Sequence, residues 1–502
     1  MITPWANAFT KMAPTKIFCV SILGFICLTM LSLAGWNWPV LGSVITVLLV
    51  LAWFLVAWRN LPLAVVLLVA ELVVGSFGYL TSLIIGSMEL SLRLLLFLTA
   101  FGVMLYHLAA NRQHVIFRHN WRWWFVGALV ALLWAASRGY YNWNSFANLV
   151  LDANGYLYLL LLPLFLEAYT EAGRVRVFYY VKLVLWPAVI WLSLSTLVLL
   201  YLFTHFEAGS IAWVYKWYRD SGLGEITPAG GGFFRVFSQS HLYSSLASVA
   251  GFAWLWQKIS QDKSRHWREP MFILTLVALT ALLASLSRSL WLGAAAAWLL
   301  IPLLAAGPKK IKRALWYILT SVVLVASASG LVLATARLTW PVPPLGEASA
   351  QAFANRFGAE PAAQARLKLL SPLLLAISRA PVMGSGFGAT VNYYSADPRA
   401  VKATAGGTGL VTTYAFEWGY LDLWYKFGLI GLWLYLMWLA WPWFKGLKLW
   451  RQGAPGAVEG AAGLALTAVY VTHLTTPYLN HPLGLGAVLA LGAVILAGAR
   501  SS

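Results

Sequence analysis

Long apolar stretches, broken by short polar punctuation, run through the whole chain at intervals that suit membrane-crossing helices. Fourteen stretches qualify: 16–35, 39–58, 62–84, 92–110, 123–137, 148–168, 179–203, 240–257, 271–286, 289–306, 315–335, 418–443, 461–473 and 483–498. The thirteenth is the shortest. The run from Met271 to Ala306 would be about 54 Å long as one helix, against a hydrocarbon core of about 30 Å. It therefore reads as two helices turning at Ser285, Ser287, Arg288 and Ser289. The pattern predicts an all-α polytopic membrane protein of about 14 transmembrane helices. It divides into N-terminal transmembrane helices (1–203), a first long loop (204–239), transmembrane helices with the arginine turn (240–335), a large loop (336–417) and C-terminal transmembrane helices (418–502).

Composition supports a membrane protein: 61% of the residues are hydrophobic and 10% are charged, which excludes an ordinary soluble domain. The 28 tryptophans suit an interfacial belt. No cleavable signal is evident, so the first stretch is expected to be retained. Cys19 and Cys27 both fall in it and suggest neither a disulfide framework nor a metal site. The net charge of +19 is distributed unevenly. Clusters such as Lys11 and Lys16, Arg112, Arg118 and Arg122, Arg174 and Arg176, and Lys445, Lys448 and Arg451 occupy alternate connectors. So do Lys258, Lys263, Arg265 and Arg268, and also Lys309, Lys310, Lys312 and Arg313. The other connectors carry single charges such as Arg138. Basic residues concentrate on the cytoplasmic side, so both termini are expected there. The charge then reports orientation and anionic lipid partners, not nucleic acid.

The Arg288 turn and both long loops then face outward. Within the large loop, "PAAQARLKLLSPLLLAISR" (361–379) repeats Leu367, Leu370, Leu374 and Ile377 at helical spacing. An amphipathic helix at the outer membrane surface is expected. "PVMGSGFGAT" (381–390) follows as a turn or a point of close backbone approach. No strand precedes it, so a dinucleotide fold is rejected. Three polar groups stand where apolar stretches meet the outer side: Arg235, Arg288 and Glu417, with Arg366 and Arg379 able to join from the amphipathic helix. Guanidinium groups at one depth suit a diphosphate, because their planar forks pair with phosphate oxygens in bidentate fashion. A carboxylate beside them suits a general base acting on a hydroxyl. Together they describe transfer of a sugar from a lipid diphosphate to an alcohol, with arginines neutralising the leaving group and no metal or cofactor required. Each residue also has a purely structural account. Arg288 snorkels to the interface, Arg235 pairs with Glu225 or Asp220, and Glu417 caps a helix. Asp422 and Lys426 form an i,i+4 pair, Asp152, Glu167 and Lys182 are anchors near span ends, and His473 and His481 are interfacial.

"RVFSQSHLYSSLA", "LSRSLWLG", "RLKLLSP" with "APVMGSGFG", and "EWGYLDLWYKFGLIGL" resemble motifs of the O-antigen polymerase and O-antigen ligase superfamily. The resemblance runs from about Arg235 to Leu432. It implies a metal-independent, inverting membrane glycosyltransferase of the GT-C type in the bacterial inner membrane, acting on undecaprenyl-diphosphate-linked glycans at the periplasmic face. It implies diphosphate-binding roles for Arg235, Arg288 and Arg366, a glycan acceptor, and a chain-length regulator as a further partner. Ligases carry a His–Asn pair where this chain has Glu417 and Trp418. The resemblance therefore favours a polymerase of repeat units with Arg288 and Glu417 catalytic, over a ligase or protein O-oligosaccharyltransferase. A lipid-linked sugar flippase and a structural export subunit are the readings from other classes. The chain shows neither repeated halves nor broken mid-membrane helices, which transporters often have.

Overall fold

The computed structural model describes residues 14–110, 121–260, 269–305, 310–346, 361–395, 401, 404, 408–453 and 457–498. Of the basic residues used to read orientation, Lys11, Arg112, Arg118, Lys263, Arg265, Arg268 and Lys309 lie outside the described residues. α1 (Pro14–Asn37) and α2 (Pro39–Arg59) are separated only by Trp38. Proline starts α2 because a first-turn N–H has no intrahelical partner to lose. Asn60 begins α3 (Leu61–Gly75), its side chain accepting the Leu63 N–H at 3.1 Å. α3 ends at Gly75 rather than at 84 as expected. Ser76 (φ 47°) and Gly78 (φ 94°) break it, and β1 (Ser82–Ile85) pairs antiparallel with β2 (Met88–Ser91). The signal is local: Ile84 and Ile85 run into a Gly86–Ser87 turn, and Gly86 takes φ 61°.

α4 (Leu92–Ala110) and α5 (Trp121–Tyr141) follow. α6 (Phe146–Asn154) winds through a 3₁₀ stretch (Gly155–Leu161) into α7 (Leu162–Tyr180), then through a π-helical turn (Val181–Leu185) into α8 (Trp186–His205). The sixth and seventh expected helices are thus parts of one winding run, broken at Gly173 (φ 65°). The first long loop holds α9 (Ala212–Asp220) and an antiparallel hairpin, β3 (Glu225–Gly230) with β4 (Phe233–Phe237). α10 (His241–Ser260), α11 (Pro270–Ala284), α12 (Arg288–Leu304) and α13 (Lys310–Arg337) come next. The 271–306 run does split at the serine-rich turn. The large loop holds α14 (Pro361–Arg379) and the hairpin β5 (Val391–Tyr394) with β6 (Leu410–Thr413). α15 (Gly419–Gln452), α16 (Ala457–His473) and α17 (Pro482–Gly498) complete the chain.

All fourteen expected stretches overlap helices. By length and composition six described helical stretches can cross a membrane, accompanied by four shorter apolar helices. The protein is a mostly helical polytopic membrane protein. Aromatic rings join α5, the 3₁₀ stretch and α15: Trp121 stacks on Trp438 with centroids 5.7 Å apart, and Tyr156 meets Phe387, Phe427 and Tyr435. α15 and α16 approach closely where Gly446 faces Gly463, as small residues allow between membrane helices.

α14 has the expected bounds, and a further apolar row on it is packed inward. Leu369, Leu373 and Ile377 are buried against Ala389, Val391, Phe416 and Tyr425, while Leu367 and Leu374 are exposed. The row Leu369, Leu373 and Ile377 packs on the β5 hairpin, while Leu367 and Leu374, two of the four residues expected to face the membrane surface, stay exposed.

Asp152 is not an anchor at a span end. It is buried, and its Oδ1 accepts from Lys426 Nζ at 2.6 Å. Lys426 also meets Asp422 Oδ1 at 2.6 Å, so the expected i,i+4 pair is one side of a buried triad. Asn480 Nδ2 donates to Asp422 Oδ2 at 2.8 Å, and the Gly388 N–H donates to Asp152 Oδ2 at 3.0 Å. The triad therefore ties α6, α15, the loop between α16 and α17 and the glycine-rich segment together. That segment is a point of close backbone approach, as expected. Gly384, Gly386 and Gly388 all have positive φ, and a Cβ on Gly386 would lie 2.1 Å from the Gly139 nitrogen. Arg138 reaches the Gly384 carbonyl, and Asn144 the Ser385 and Phe387 carbonyls. Glu167 meets His107 Nδ1 at 3.3 Å, and the Lys182 ammonium lies over the Trp186 ring.

Candidate functional site

Arg235, Arg288, Arg366 and Glu417, from four separate parts of the sequence, line one cavity of about 680 Å³. The β3–β4 hairpin brings in Arg235. Alternation along the strands sends Ile226 and Val236 into the core and leaves Arg235 on the opposite face. Arg235 Nε donates to the Ser285 carbonyl at 2.9 Å, and its guanidinium lies 4.4 Å from the centroid of the Phe237 ring. The hairpin arginine thus touches the turn that carries Arg288.

That turn has an uncommon backbone. Leu286 adopts φ 46° with its side chain fully buried, a conformation that a non-glycine residue holds only when its surroundings enforce it. Ser285 Oγ accepts the Ser287 N–H at 3.2 Å, and Trp291 Nε1 donates to the Leu282 carbonyl at 2.9 Å. Arg288 is half-buried and is the first residue of α12, and the side chain of Ser287, at the cap position, makes no cap hydrogen bond. The leading N–H groups of α12 and its partial positive charge therefore face the region lined by Ser287, Arg288 and Ser289. Thr476 Oγ1 donates to Ser289 Oγ at 2.8 Å and fixes the loop between α16 and α17 to this helix start. Arg288 lies in a cavity wall, which a residue merely snorkelling to the interface does not require.

Arg366 enters from α14. Its Nε forms an ion pair with Glu417, and Trp418 Nε1 donates to the Arg366 carbonyl at 2.9 Å. Glu417 therefore does not cap α15; Trp418 occupies the cap position and makes no side-chain cap bond. Arg379 does not line the cavity. Neither do the two histidines. His473 is fully buried rather than interfacial, accepting the Leu479 N–H at 3.1 Å with its ring edge-on to Tyr420. Around His481, loss of water and then the Arg93 guanidinium push the imidazole down to about 3. It stays neutral at working pH and packs edge-on against Phe77.

Several lining residues carry no signal of their own in the sequence: Arg219, Glu225, Gln239, Thr475 and Thr476. The hairpin signal is present in "EITPAGGGFFRVF", where alternating residues flank a Gly230–Gly232 turn with three positive φ angles. Four arginines against two glutamates leave the cavity positive. With the α12 N-terminus and the serine and threonine hydroxyls, it is built for a multiply charged oxyanion. Among the described residues no group of three or more His, Cys, Asp or Glu side chains gathers as a metal site would require.

Residues 273–436, about a third of the chain, match the family model described as O-antigen ligase. The match contains Arg288, Arg366 and Glu417, and it starts after Arg235 and the hairpin. It agrees with the motifs: this part of the chain is a segment of the O-antigen ligase and polymerase superfamily. No curated protein and no solved structure matches the chain. The match carries a coarse reading, a membrane enzyme of the O-antigen ligase/polymerase kind.

Proposed function

We propose that the protein is a metal-independent, inverting membrane glycosyltransferase of the GT-C kind, and that it polymerises undecaprenyl-diphosphate-linked repeat units at the periplasmic face of the inner membrane. The observation that carries this reading is the convergence of Arg235, Arg288, Arg366 and Glu417 on one cavity at an uncapped helix N-terminus. Arg235 and Arg288 clamp the donor diphosphate, and Arg366 adds a third guanidinium. As the bond from sugar to diphosphate breaks, charge gathers on the leaving oxygens. The guanidinium forks and the α12 N–H groups neutralise it without moving far, which is how preorganised donors lower a barrier. A cavity carboxylate takes the proton of the acceptor hydroxyl; Glu417 stands at the position expected for it from the motifs. The exposed apolar residues of α14, Leu367 and Leu374, would rest on the outer membrane surface beside the donor's lipid.

The family description supports a second reading, a ligase that transfers the finished glycan to another acceptor. Glu417 and Trp418 in place of a His–Asn pair favour the polymerase. Purified protein in liposomes with a lipid-linked repeat unit tests the two. Longer lipid-linked chains support polymerisation, and transfer only to lipid A–core supports the ligase. Transbilayer movement with no new glycosidic bond would overturn the enzyme reading altogether.

A further inference from the structure

The cavity has a second carboxylate, to which the diphosphate clamp assigns no task. Glu225 opens β3 and sits opposite Phe237 in the register, while Thr227 sits opposite Arg235. Side chains alternate across a hairpin, so Glu225, Thr227, Arg235 and Phe237 share one face, and Ile226 and Val236 share the other. Burial agrees: Ile226 and Val236 are buried, Glu225 is exposed, and Glu225, Arg235 and Phe237 all line the cavity. The packed side of the hairpin therefore fixes this carboxylate one diagonal step from a clamp arginine.

The two carboxylates differ in their company. Glu417 is held by the Arg366 guanidinium. An acceptor hydroxyl that reached it would compete with that guanidinium. Glu225 forms no ion pair with another described residue. It stands on a strand, whereas Glu417 lies in the bend that precedes α15. A group on a regular element is aimed more reproducibly than one in a bend.

We infer that Glu225 is the catalytic base of the transfer and that Glu417 is a positioning residue, keeping Arg366 on the cavity wall. This inference rests on the diphosphate-clamp reading. In the step, the acceptor oxygen forms its bond to the anomeric carbon while the bond from that carbon to the diphosphate oxygen breaks. The bonding pair leaves with the diphosphate, and the hydroxyl proton passes to the Glu225 carboxylate.

The test uses the full chain, purified, with a labelled polyprenyl-diphosphate-linked repeat unit, measuring donor affinity and single-turnover rate. Glu225→Gln is expected to slow transfer by about 10²–10⁴-fold with donor affinity retained. Glu225→Ala is expected to regain part of its rate when formate supplies a carboxylate in the vacated space. Glu417→Gln is expected to weaken donor binding more than it slows the bound complex, and formate is expected not to rescue Glu417→Ala. Transfer by Glu225→Gln within a few-fold of wild type overturns the inference, as does formate rescue at position 417 but not at 225. The clamp reading fails on a separate measurement: Arg235→Ala and Arg288→Ala binding the donor as tightly as wild type.

Discussion

At the scale of single residues, the informative side chains are charges in places where charge is expensive. An arginine at a turn between two apolar helices is conspicuous, because burying a guanidinium without a partner costs several kcal/mol. That is why Arg288, and near it Arg235, stand out in the amino-acid sequence itself. Arg219 and Glu225 do not, since a charge in a polar loop is ordinary and needs no explanation. Only the hairpin register, which turns both Glu225 and Arg235 toward the cavity, sets Glu225 apart. Arg288→Ala is expected to lose about 1.5–3 kcal/mol of stabilisation for each charged hydrogen bond to the diphosphate, with expression and melting temperature held. Arg288→Lys should recover only part, because an ammonium has no planar fork. Steady-state rates and donor affinities of the two variants check this. Wild-type turnover in Arg288→Ala would return the residue to a structural role.

At the scale of elements, hydropathy locates the helices because a membrane span must be apolar along its whole length. It misses the hairpins, which are short and half polar, and it overruns the end of α3, where Ser76 and Gly78 break an otherwise apolar run. The bounds of α14 are readable; its buried face is not, because its partners Ala389, Val391, Phe416 and Tyr425 come together only in the folded loop. The same holds for the triad. Asp152 and Lys426 are 274 residues apart, and no local pattern links them. Two consequences are measurable. Lys426→Met leaves two carboxylates buried without their cation and should cost about 3–5 kcal/mol. The melting temperature of the purified protein in detergent should fall accordingly, and Lys426→Arg should not restore it, since a longer planar group does not fit the space of an ammonium. Gly386→Ala should also destabilise. The residue sits at φ 82° with its would-be Cβ against the Gly139 nitrogen, and a left-handed non-glycine residue alone costs about 1–3 kcal/mol. Both variants loosen the glycine-rich segment that links α5, α6 and α15, so activity should fall at temperatures where the fold survives.

At the scale of the whole molecule, the charge distribution and the cavity make the same demand. If clustered lysines and arginines mark the cytoplasmic side, the Arg288 turn, the β3–β4 hairpin, α14 and the loop between α16 and α17 share the opposite side. The structure brings residues from these four elements together around one cavity. A topology that put any of them on the cytoplasmic side would dismantle the cavity. The cavity therefore requires these elements to share a side, and the basic connectors indicate which side that is. Sidedness labelling tests it. Cys19 and Cys27 are free and exposed, so both are first replaced by serine. A single cysteine is then introduced at Gln364, exposed on α14, or at Gln452, exposed at the end of α15. Ala454, in the connector beyond, lies outside the described residues. In intact inner-membrane spheroplasts a membrane-impermeant maleimide is expected to label Gln364→Cys at once, and Gln452→Cys only after the membrane is permeabilised. α15 breaks at Gly428 (φ 68°), and the part beyond the break, about 24 residues at about 1.5 Å each, is long enough to cross a hydrocarbon core of about 30 Å, so opposite sidedness of the two positions is expected. Labelling of both positions from the same side would break the periplasmic assignment. Labelling of Gln452→Cys before permeabilisation and of Gln364→Cys only after it would invert the assignment and put the arginine cavity on the cytoplasmic leaflet.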